Sequence, residues 1–228
     1  HSLYTNIHTL KISNTLIEEL NLNYFTSVNY LFLEGIILSD IYKLEIPSTS
    51  NINIVSLLNC NFREVNVHKY LDELKISAMS YTKVKCSEQI NNLYLENLDF
   101  KLNIEIECVC NLLKIVEFNQ IKEISIKNKI EYQSLYLVGR KSKTTLEKKE
   151  LTNLLKMSLS MEIQELYLAN LILPEKDITN KYIKEFIKKY KIKKLELFNN
   201  DTKHLKVFEI LEGCPDLDEL LVNGDHHI

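Results

Sequence analysis

Glycine and proline are scarce in this chain of 228 residues, which has only 4 glycines, 3 prolines and no tryptophan. It contains no Gly-rich loop of the kind that cradles phosphates and no G-x-S-x-G nucleophile motif. Apolar runs are short too, since none approaches the roughly 18 residues that a membrane-spanning helix needs. These absences argue against a nucleotide-binding P-loop, a serine hydrolase of that type and a transmembrane segment.

Strong charge of either sign is also lacking, because the net charge is only −3. A field this weak favours neither nucleic acid nor an acidic membrane surface as a partner. Hydrophobic residues at 45% and charged residues at 26% indicate a globular chain rather than a disordered one. The abundance of Asn, Ile, Lys and Tyr is typical of an AT-rich genome, so we expect many surface Asn and Lys to carry no function.

Cysteine is limited to five residues, an odd number at loose spacing. Cys108 and Cys110 alternate along one predicted strand, a placement that seldom allows a disulfide. We therefore predict buried free thiols, a reducing compartment and an intracellular location. The chain does not begin with Met, so it could be a fragment, a processed protein or a tagged one, and secretion after loss of a signal peptide stays open.

Metal-binding and catalytic patterns are missing from the histidines and cysteines. Neither residue type shows the paired spacing of a zinc site, and His226 and His227 close the chain without further ligands. No Cys/His pair at a meaningful spacing suggests a nucleophile and its base. The sequence therefore predicts no enzyme activity, no cofactor, no metal and no catalytic residue.

A short apolar skeleton recurs ten times along the chain, as an apolar residue, two others, a second apolar residue, one other and a third. The last two anchors of each copy alternate, so they share one face of a strand. Strands at a near-fixed period predict a solenoid. The copies are Ile7/Leu10/Ile12, Val28/Leu31/Leu33, Ile52/Val55/Leu57, Leu71/Leu74/Ile76, Ile90/Leu93/Leu95, Cys110/Leu113/Ile115, Tyr132/Leu135/Leu137, Ile163/Leu166/Leu168, Ile192/Leu195/Leu197 and Leu217/Leu220/Val222.

The repeats fall into two groups within one predicted domain, 1–228. In residues 1–137 the copies recur about every 20 residues, and a second alternating skeleton lies between them, which predicts extended segments on both sides of each coil. This second skeleton is Ile17/Leu20/Leu22, Ile41/Leu44/Ile46, Phe62/Val65/Val67, Tyr81/Val84/Cys86, Leu102/Ile104/Ile106 and Ile121/Ile124/Ile126.

Residues 138–228 have longer repeats with helical spacing between the strands. Helices are predicted from Leu146 to Met161, from Glu175 to Tyr190 and from His204 to Glu212. The apolar stripe predicted for the third is Leu205, Phe208 and Leu211. A loop is predicted from Arg140 to Lys149.

Near its end the chain resembles the leucine-rich repeat superfamily. A predicted helix stops at Cys214 and Pro215, and the strand anchors Leu217, Leu220 and Val222 follow at once. This join is similar to that of ribonuclease-inhibitor-like and F-box-associated repeats, and L-x-x-L-x-L is the family's own skeleton. The resemblance covers about residues 7–223. It implies an α/β solenoid with a parallel sheet on its concave side, and non-enzymatic binding of a protein or peptide through that sheet.

One position departs from the family pattern. The family usually has Asn three residues after the last strand leucine, where its side chain bonds to the backbone. Here few residues at this position can do so, and we expect the coil edge to be apolar. They are Thr15, Ile36, Cys60, Met79, Leu98, Leu171, Asn200 and Asp225.

The resemblance places the residue between the last two anchors at the centre of the concave face. We name these ten residues the central column. Four are aromatic, and Tyr and Phe on a rigid strand are common interface hot spots, although strands also simply prefer aromatics. The partner-binding residues predicted from this column are Phe32, Tyr94, Tyr136, Tyr167, Lys75, Lys114 and Glu196.

Two alternatives remain at this stage. Lys188, Lys189, Lys191, Lys193 and Lys194 form a basic cluster, which suits a solvated helix end more than an anion or nucleic-acid site. The chain could also be a structural component that stacks by its solenoid ends in an assembly or coat, because no polar capping unit is visible.

Overall fold

The computed structural model describes residues 6–17, 20–38, 43–77, 81–96, 102–118, 121–126, 131–142, 144–145, 162–173, 176–201 and 205–223. Its strands are β1 (Thr9–Ser13), β2 (Leu16–Ile17), β3 (Tyr30–Glu34), β4 (Ile37–Leu38), β5 (Lys43–Ile46), β6 (Ile54–Leu58), β7 (Glu64–Val67), β8 (Leu71–Ser77), β9 (Tyr81–Glu96), β10 (Leu102–Phe118), β11 (Ile121–Ile126), β12 (Glu131–Gly139), β13 (Thr144–Thr145), β14 (Glu162–Ala169), β15 (Leu171–Ile172), β16 (Lys194–Phe198) and β17 (Glu219–Asn223). The helices are a 3-10 helix (Leu22–Tyr24), α1 (Lys176–Tyr190) and α2 (Val207–Gly213).

A parallel sheet of 13 strands dominates the described residues. Ten of its strands follow one another in the order β1-β3-β6-β8-β9-β10-β12-β14-β16-β17, which we call the long ladder. The middle anchors of all ten copies pair in register from strand to strand, as Leu74, Leu93 and Leu113 illustrate. The predicted repeat frame is therefore confirmed strand by strand.

The anchors fill the core because alternation directs them to one face of the long ladder. Leu93, Leu95, Leu166 and Leu168 are buried, as the sequence predicts. A buried parallel strand of Leu, Ile and Val is what such sheets require on their packed face.

A second ladder belongs to the same sheet in the first half of the chain. It consists of β5, β7, the first residues of β9 and of β10, and β11, again all parallel. Its buried residues, among them Val65, Val84 and Ile106, belong to the same hydrophobic cluster as Leu93. The long strands β9 and β10 run through both ladders, and both ladders contribute side chains to one core.

The start of the second skeleton was predicted wrongly. Instead of one extended segment through Ile17 and Leu22, a two-residue strand ends at Ile17 and a 3-10 helix begins at Leu22. Asn21 caps that helix, since its Oδ1 accepts a hydrogen bond from the backbone N–H of Asn23 at 3.1 Å. Asn is one of the preferred N-cap residues, so Asn21 favours the start of a helix over a continued strand. The apolar pattern of the sequence does not reveal this cap.

Helices replace the second ladder in the second half of the chain. Helix α1 agrees with its predicted stripe and buries Ile183, Phe186, Ile187 and Tyr190. The predicted stripe of α2 is wrong, because Phe208 is 81% exposed and Ile210 is buried in its place.

Two other predictions from the second half fall wholly or partly outside the described residues. The helix predicted from Leu146 to Met161 lies outside them. The predicted loop after Arg140 contains the short strand β13, and its remaining residues beyond Thr145 are not described.

The residue two positions after the last anchor is in the left-handed region in six of the seven copies for which this position is described, Gly139 being the exception. Such a φ, near +50°, is costly for most side chains but tolerated by Asn and Gly. At Gly35 an added Cβ would also lie 2.5 Å from Asn14 Oδ1, so the exposed side chain of Asn14 would have to move. Several asparagines therefore serve backbone geometry and are not only a mark of genome composition. The left-handed residues at this position are Asn14, Gly35, Asn59, Glu117, Asn170 and Asn199.

The next position agrees only in part with the expected apolar edge, since Thr15 is exposed and residues 79, 98 and 225 are not described. Ile36 and Leu171 are completely buried there, and Cys60 and Asn200 are buried too. Cys60 Sγ lies 3.4 Å from the carbonyl oxygen of Leu33, and Asn200 Nδ2 donates to the carbonyl oxygen of Leu168 at 2.8 Å. These two side chains thus contact the backbone of the preceding repeat.

All five cysteines are free, as predicted. Cys108 and Cys110 are buried while Val109 between them is exposed, so the two thiols share the inward face of β10. Burial raises the pKa of Cys60, and it raises the pKa of Cys86 to about 11. Both thiols are therefore protonated and poorly nucleophilic at neutral pH.

Candidate binding surface

The central column forms one continuous line across the outer face of the long ladder. Its members pair in register on adjacent strands, in the order Lys11, Phe32, Ser56, Lys75, Tyr94, Lys114, Tyr136, Tyr167, Glu196 and Leu221. Adjacent strands of a sheet are about 4.8 Å apart, so neighbouring side chains in this line touch. All seven residues proposed from the sequence for partner binding lie in this line, and each is half-buried rather than fully exposed.

Contacts between neighbours explain why these side chains are only half-exposed. The rings of Tyr136 and Tyr167 have centroids 5.0 Å apart and planes inclined by 38°. Lys11 Nζ lies 4.7 Å from the centroid of the Phe32 ring. The column is consequently held in place before any partner arrives, which lowers the entropy cost of binding.

Charged side chains flank the tyrosines. Lys75 Nζ pairs with Glu96 Oε2 at 2.7 Å beside Tyr94. Ser134 Oγ donates to Glu165 Oε2 at 3.1 Å, and Lys194 Nζ pairs with Glu219 Oε2 at 3.3 Å.

The tyrosine hydroxyls keep their protons on this face. Partial burial is the largest cause that raises the pKa of Tyr136, and the negative charges of Glu165 and Glu196 raise it further. The positive charge of Lys194 acts in the opposite direction. Burial, Glu196 and Tyr136 likewise raise the pKa of Tyr167. Both phenols are therefore available at neutral pH as hydrogen-bond donors to a partner.

Sequence reasoning missed the residues on either side of the column. Because side chains alternate, those two positions before or after a column residue share its face. Tyr30 is 51% exposed and Phe198 is 45% exposed at such positions. Extending the column by two residues in each direction would have found them, together with Glu165.

The outer face of the second ladder differs, because its charges neutralise one another. Glu64 Oε1 lies 3.0 Å from Lys85 Nζ, and Lys43 Nζ lies 2.7 Å from Glu45 Oε1. Lys83 Nζ reaches both Glu105 and Glu107, at 3.1 and 3.3 Å. Most charges among the described side chains of this face are thus already paired, which leaves few of them available to a partner.

The basic cluster after α1 disperses into local contacts. Lys189 Nζ lies 5.1 Å from the centroid of the Tyr190 ring, and Lys193 Nζ donates to the carbonyl oxygen of Asp216 at 3.0 Å. Lys194 belongs to the outer face of the long ladder through its ion pair with Glu219. Three of the five lysines thus make separate local contacts, which agrees with a solvated helix end.

Metal-ligating groups and membrane spans were sought over the described ranges. No three His, Cys, Asp or Glu side chains there are grouped so that they could hold a metal ion. His226 and His227 lie outside those ranges. None of the helices described is long and apolar enough to cross a membrane.

Comparison with known proteins gives no relative: no protein-family model, no curated protein and no solved structure matches this chain. What the structure defines is a large parallel sheet of many strands with few helices, compatible with a solenoid.

Proposed function

We propose that this chain is a divergent leucine-rich repeat solenoid that binds a protein or peptide through the outer face of the long ladder and catalyses no reaction. In this assignment the solenoid is right-handed, the long ladder is its concave side, and the second ladder and the helices form its convex side. The ten copies in register and the L-x-x-L-x-L skeleton support it.

The observation that carries the binding role is the tyrosine pair on β12 and β14, the seventh and eighth strands of that face. Tyr136 and Tyr167 are in ring contact, are half-buried and occupy adjacent positions of a rigid sheet. Aromatic side chains held in this way contribute large contact areas at low entropy cost and dominate many interfaces. The paired charges of the second ladder make that face the weaker candidate.

The test is a comparative pull-down from the native source with three forms of the chain: wild type, the double variant Tyr136→Ala/Tyr167→Ala, and Phe208→Ala. Phe208 is an exposed aromatic residue on α2 and not on the long ladder, so it is a matched control. Quantitative mass spectrometry should show one partner retained by wild type and Phe208→Ala and depleted by the double variant. The loss should be about 2 kcal/mol or more per hot-spot residue in a later titration. Equal recovery by all three forms would contradict the proposal.

A second candidate is a structural role in which coils stack end to end. It is favoured by incomplete burial at both ends of the long ladder, where Leu10, Leu220 and Val222 are only partly covered. If the ends stack, light scattering should show assemblies that grow with concentration, and Leu220→Lys should reduce them to single chains. Scattering that does not change with concentration would count against this role.

A further inference from the structure

Three carboxylates, Glu165, Glu196 and Glu219, and two ammonium groups, Lys194 and Lys114, lie on the strands around the tyrosine pair, and Lys114 is in register with Tyr136. Glu196 pairs in register with Tyr167, and Glu165 lies two residues before Tyr167 on the same strand face. Lys194 on β16 pairs in register with Glu165 on β14. Its ion pair, however, is with Glu219 on β17, the next strand of the ladder. We call Tyr136, Tyr167, Glu165 and Glu196 the tyrosine patch.

Glu196 is the carboxylate in this patch that local contacts leave available. Glu165 accepts a hydrogen bond from Ser134, and Lys194 is engaged by Glu219. In the part of the chain that the structure describes, Glu196 makes no ion pair, in contrast to Glu64, which has Lys85 and Lys43 nearby. The patch thus presents a carboxylate that faces outward next to two aromatic rings.

A ring face and a carboxylate side by side are complementary to a cation on a long side chain. The ring face attracts ammonium and guanidinium groups through its quadrupole, and the carboxylate adds a charge-assisted hydrogen bond. The rings also cover the methylene stem of Lys or Arg. Phosphate groups would instead meet Glu165 and Glu196, so a nucleic acid is a poor fit here.

We propose that the tyrosine patch holds an Arg or Lys side chain from a basic segment of the partner polypeptide. This proposal rests on the function proposed above and specifies its partner by chemistry. Arginine suits the site better than lysine, because its planar guanidinium can lie over Tyr167 while donating two hydrogen bonds to the Glu196 carboxylate. The half-exposed ring of Phe198, two residues beyond Glu196 on the same strand face, provides an apolar contact for the neighbouring partner residue.

The experiment is selection of random dodecapeptides on the immobilised full chain, with counter-selection on Tyr136→Ala/Tyr167→Ala. Peptides retained only by wild type are expected to contain Arg or Lys at one shared position. The best peptide is then synthesised with that residue as Arg and as citrulline, which has nearly the same shape and no charge. We expect citrulline to weaken binding to wild type roughly tenfold, and Glu196→Gln to weaken binding of the Arg peptide by a similar factor.

A double-mutant cycle localises the contact. If the guanidinium meets Glu196, citrulline should cost much less in the Glu196→Gln variant than in wild type, because the two changes remove the same interaction. Glu212→Gln is the charge-matched control on α2 and should bind the Arg peptide as wild type does. Melting temperatures of the variants confirm that each remains folded.

The outcomes separate the two proposals. Selected peptides that need the tyrosines but lack a shared basic residue, or that bind Glu196→Gln as well as wild type, would overturn the basic partner and leave the binding face intact. Selection that never depends on Tyr136 and Tyr167 would overturn the binding face itself, and the basic partner with it.

Discussion

Tyr136 and Tyr167, on adjacent parallel strands, contact each other with ring centroids 5.0 Å apart. Tilted pairs of this kind contribute about 0.5–1.5 kcal/mol beyond the area they bury. The two side chains therefore stabilise each other as well as forming a surface for a partner.

This pair should show measurable coupling in the isolated protein. In a double-mutant cycle of Tyr136→Ala and Tyr167→Ala, followed by urea denaturation, we expect a coupling free energy of about 0.5–1.5 kcal/mol. The doubly substituted chain should stay folded, since neither ring is in the core. Strictly additive effects would show that the ring contact does not persist in solution.

Leu93→Ala tests the repeat frame. Leu93 is completely buried and pairs with Leu74 and Leu113 on the neighbouring strands, so its truncation leaves a cavity between three coils. We expect the free energy of unfolding to fall by about 2–5 kcal/mol, read from the denaturation midpoint. Leu211→Ala, at an exposed leucine of α2, should change it by less than about 0.5 kcal/mol. Similar midpoints for both variants would contradict the assigned frame.

The register of the long ladder could be predicted because the skeleton recurs in phase in ten copies. The apolar anchors of each copy determine which face of the strand points into the core. The buried face of α2 could not be predicted from the sequence. A helix of 7 residues is too short for apolar periodicity to show whether Phe208 or Ile210 is buried. The left-handed turn asparagines could not be predicted, because the apolar skeleton carries no signal for a positive φ two positions after its last anchor.

The candidate surface was predictable in its central line but not in its charge balance. Alternation alone places Tyr136, Tyr167 and Glu196 on one face. Whether Lys194 neutralises Glu196 or Glu219 depends on side-chain rotamers and cross-strand distances that no sequence pattern encodes. That difference is what leaves a free carboxylate beside the tyrosines.

Asn200, which is buried just after the end of β16, should be important for stability. Its Oδ1 accepts the backbone N–H of Leu171 and its Nδ2 donates to the carbonyl of Leu168, both at 2.8 Å and both buried. Asn200→Ala leaves these two backbone groups without partners, which should cost roughly 2–4 kcal/mol. Thermal denaturation can be compared with Asn23→Ala, an exposed Asn whose loss leaves nothing buried. Equal melting temperatures would rule out the bridging role of Asn200.

Glu64 should make the protein's stability depend on pH. The hydrogen bond from Lys85 lowers the pKa of Glu64 below its ordinary value of 4.5, against a smaller opposing effect of burial, and Lys43 adds to the lowering. A carboxyl group that is more acidic in the folded state stabilises the fold above its unfolded pKa, and this contribution disappears as the pH falls through the folded pKa.

Glu64→Gln removes that contribution. At pH 7 the variant should be less stable than wild type by about 0.2–1 kcal/mol, the range for a largely solvated ion pair. The difference should shrink as the pH falls below 4.5 and vanish once the pH is well below the lowered pKa of Glu64, because the wild-type carboxyl group is then protonated as well. Urea denaturation from pH 7 to pH 3, with Glu212→Gln as the charge-matched control, measures it. A deficit that stays constant down to the lowest pH would mean that Gln disturbs packing in β7 and that the ion pair with Lys85 contributes nothing.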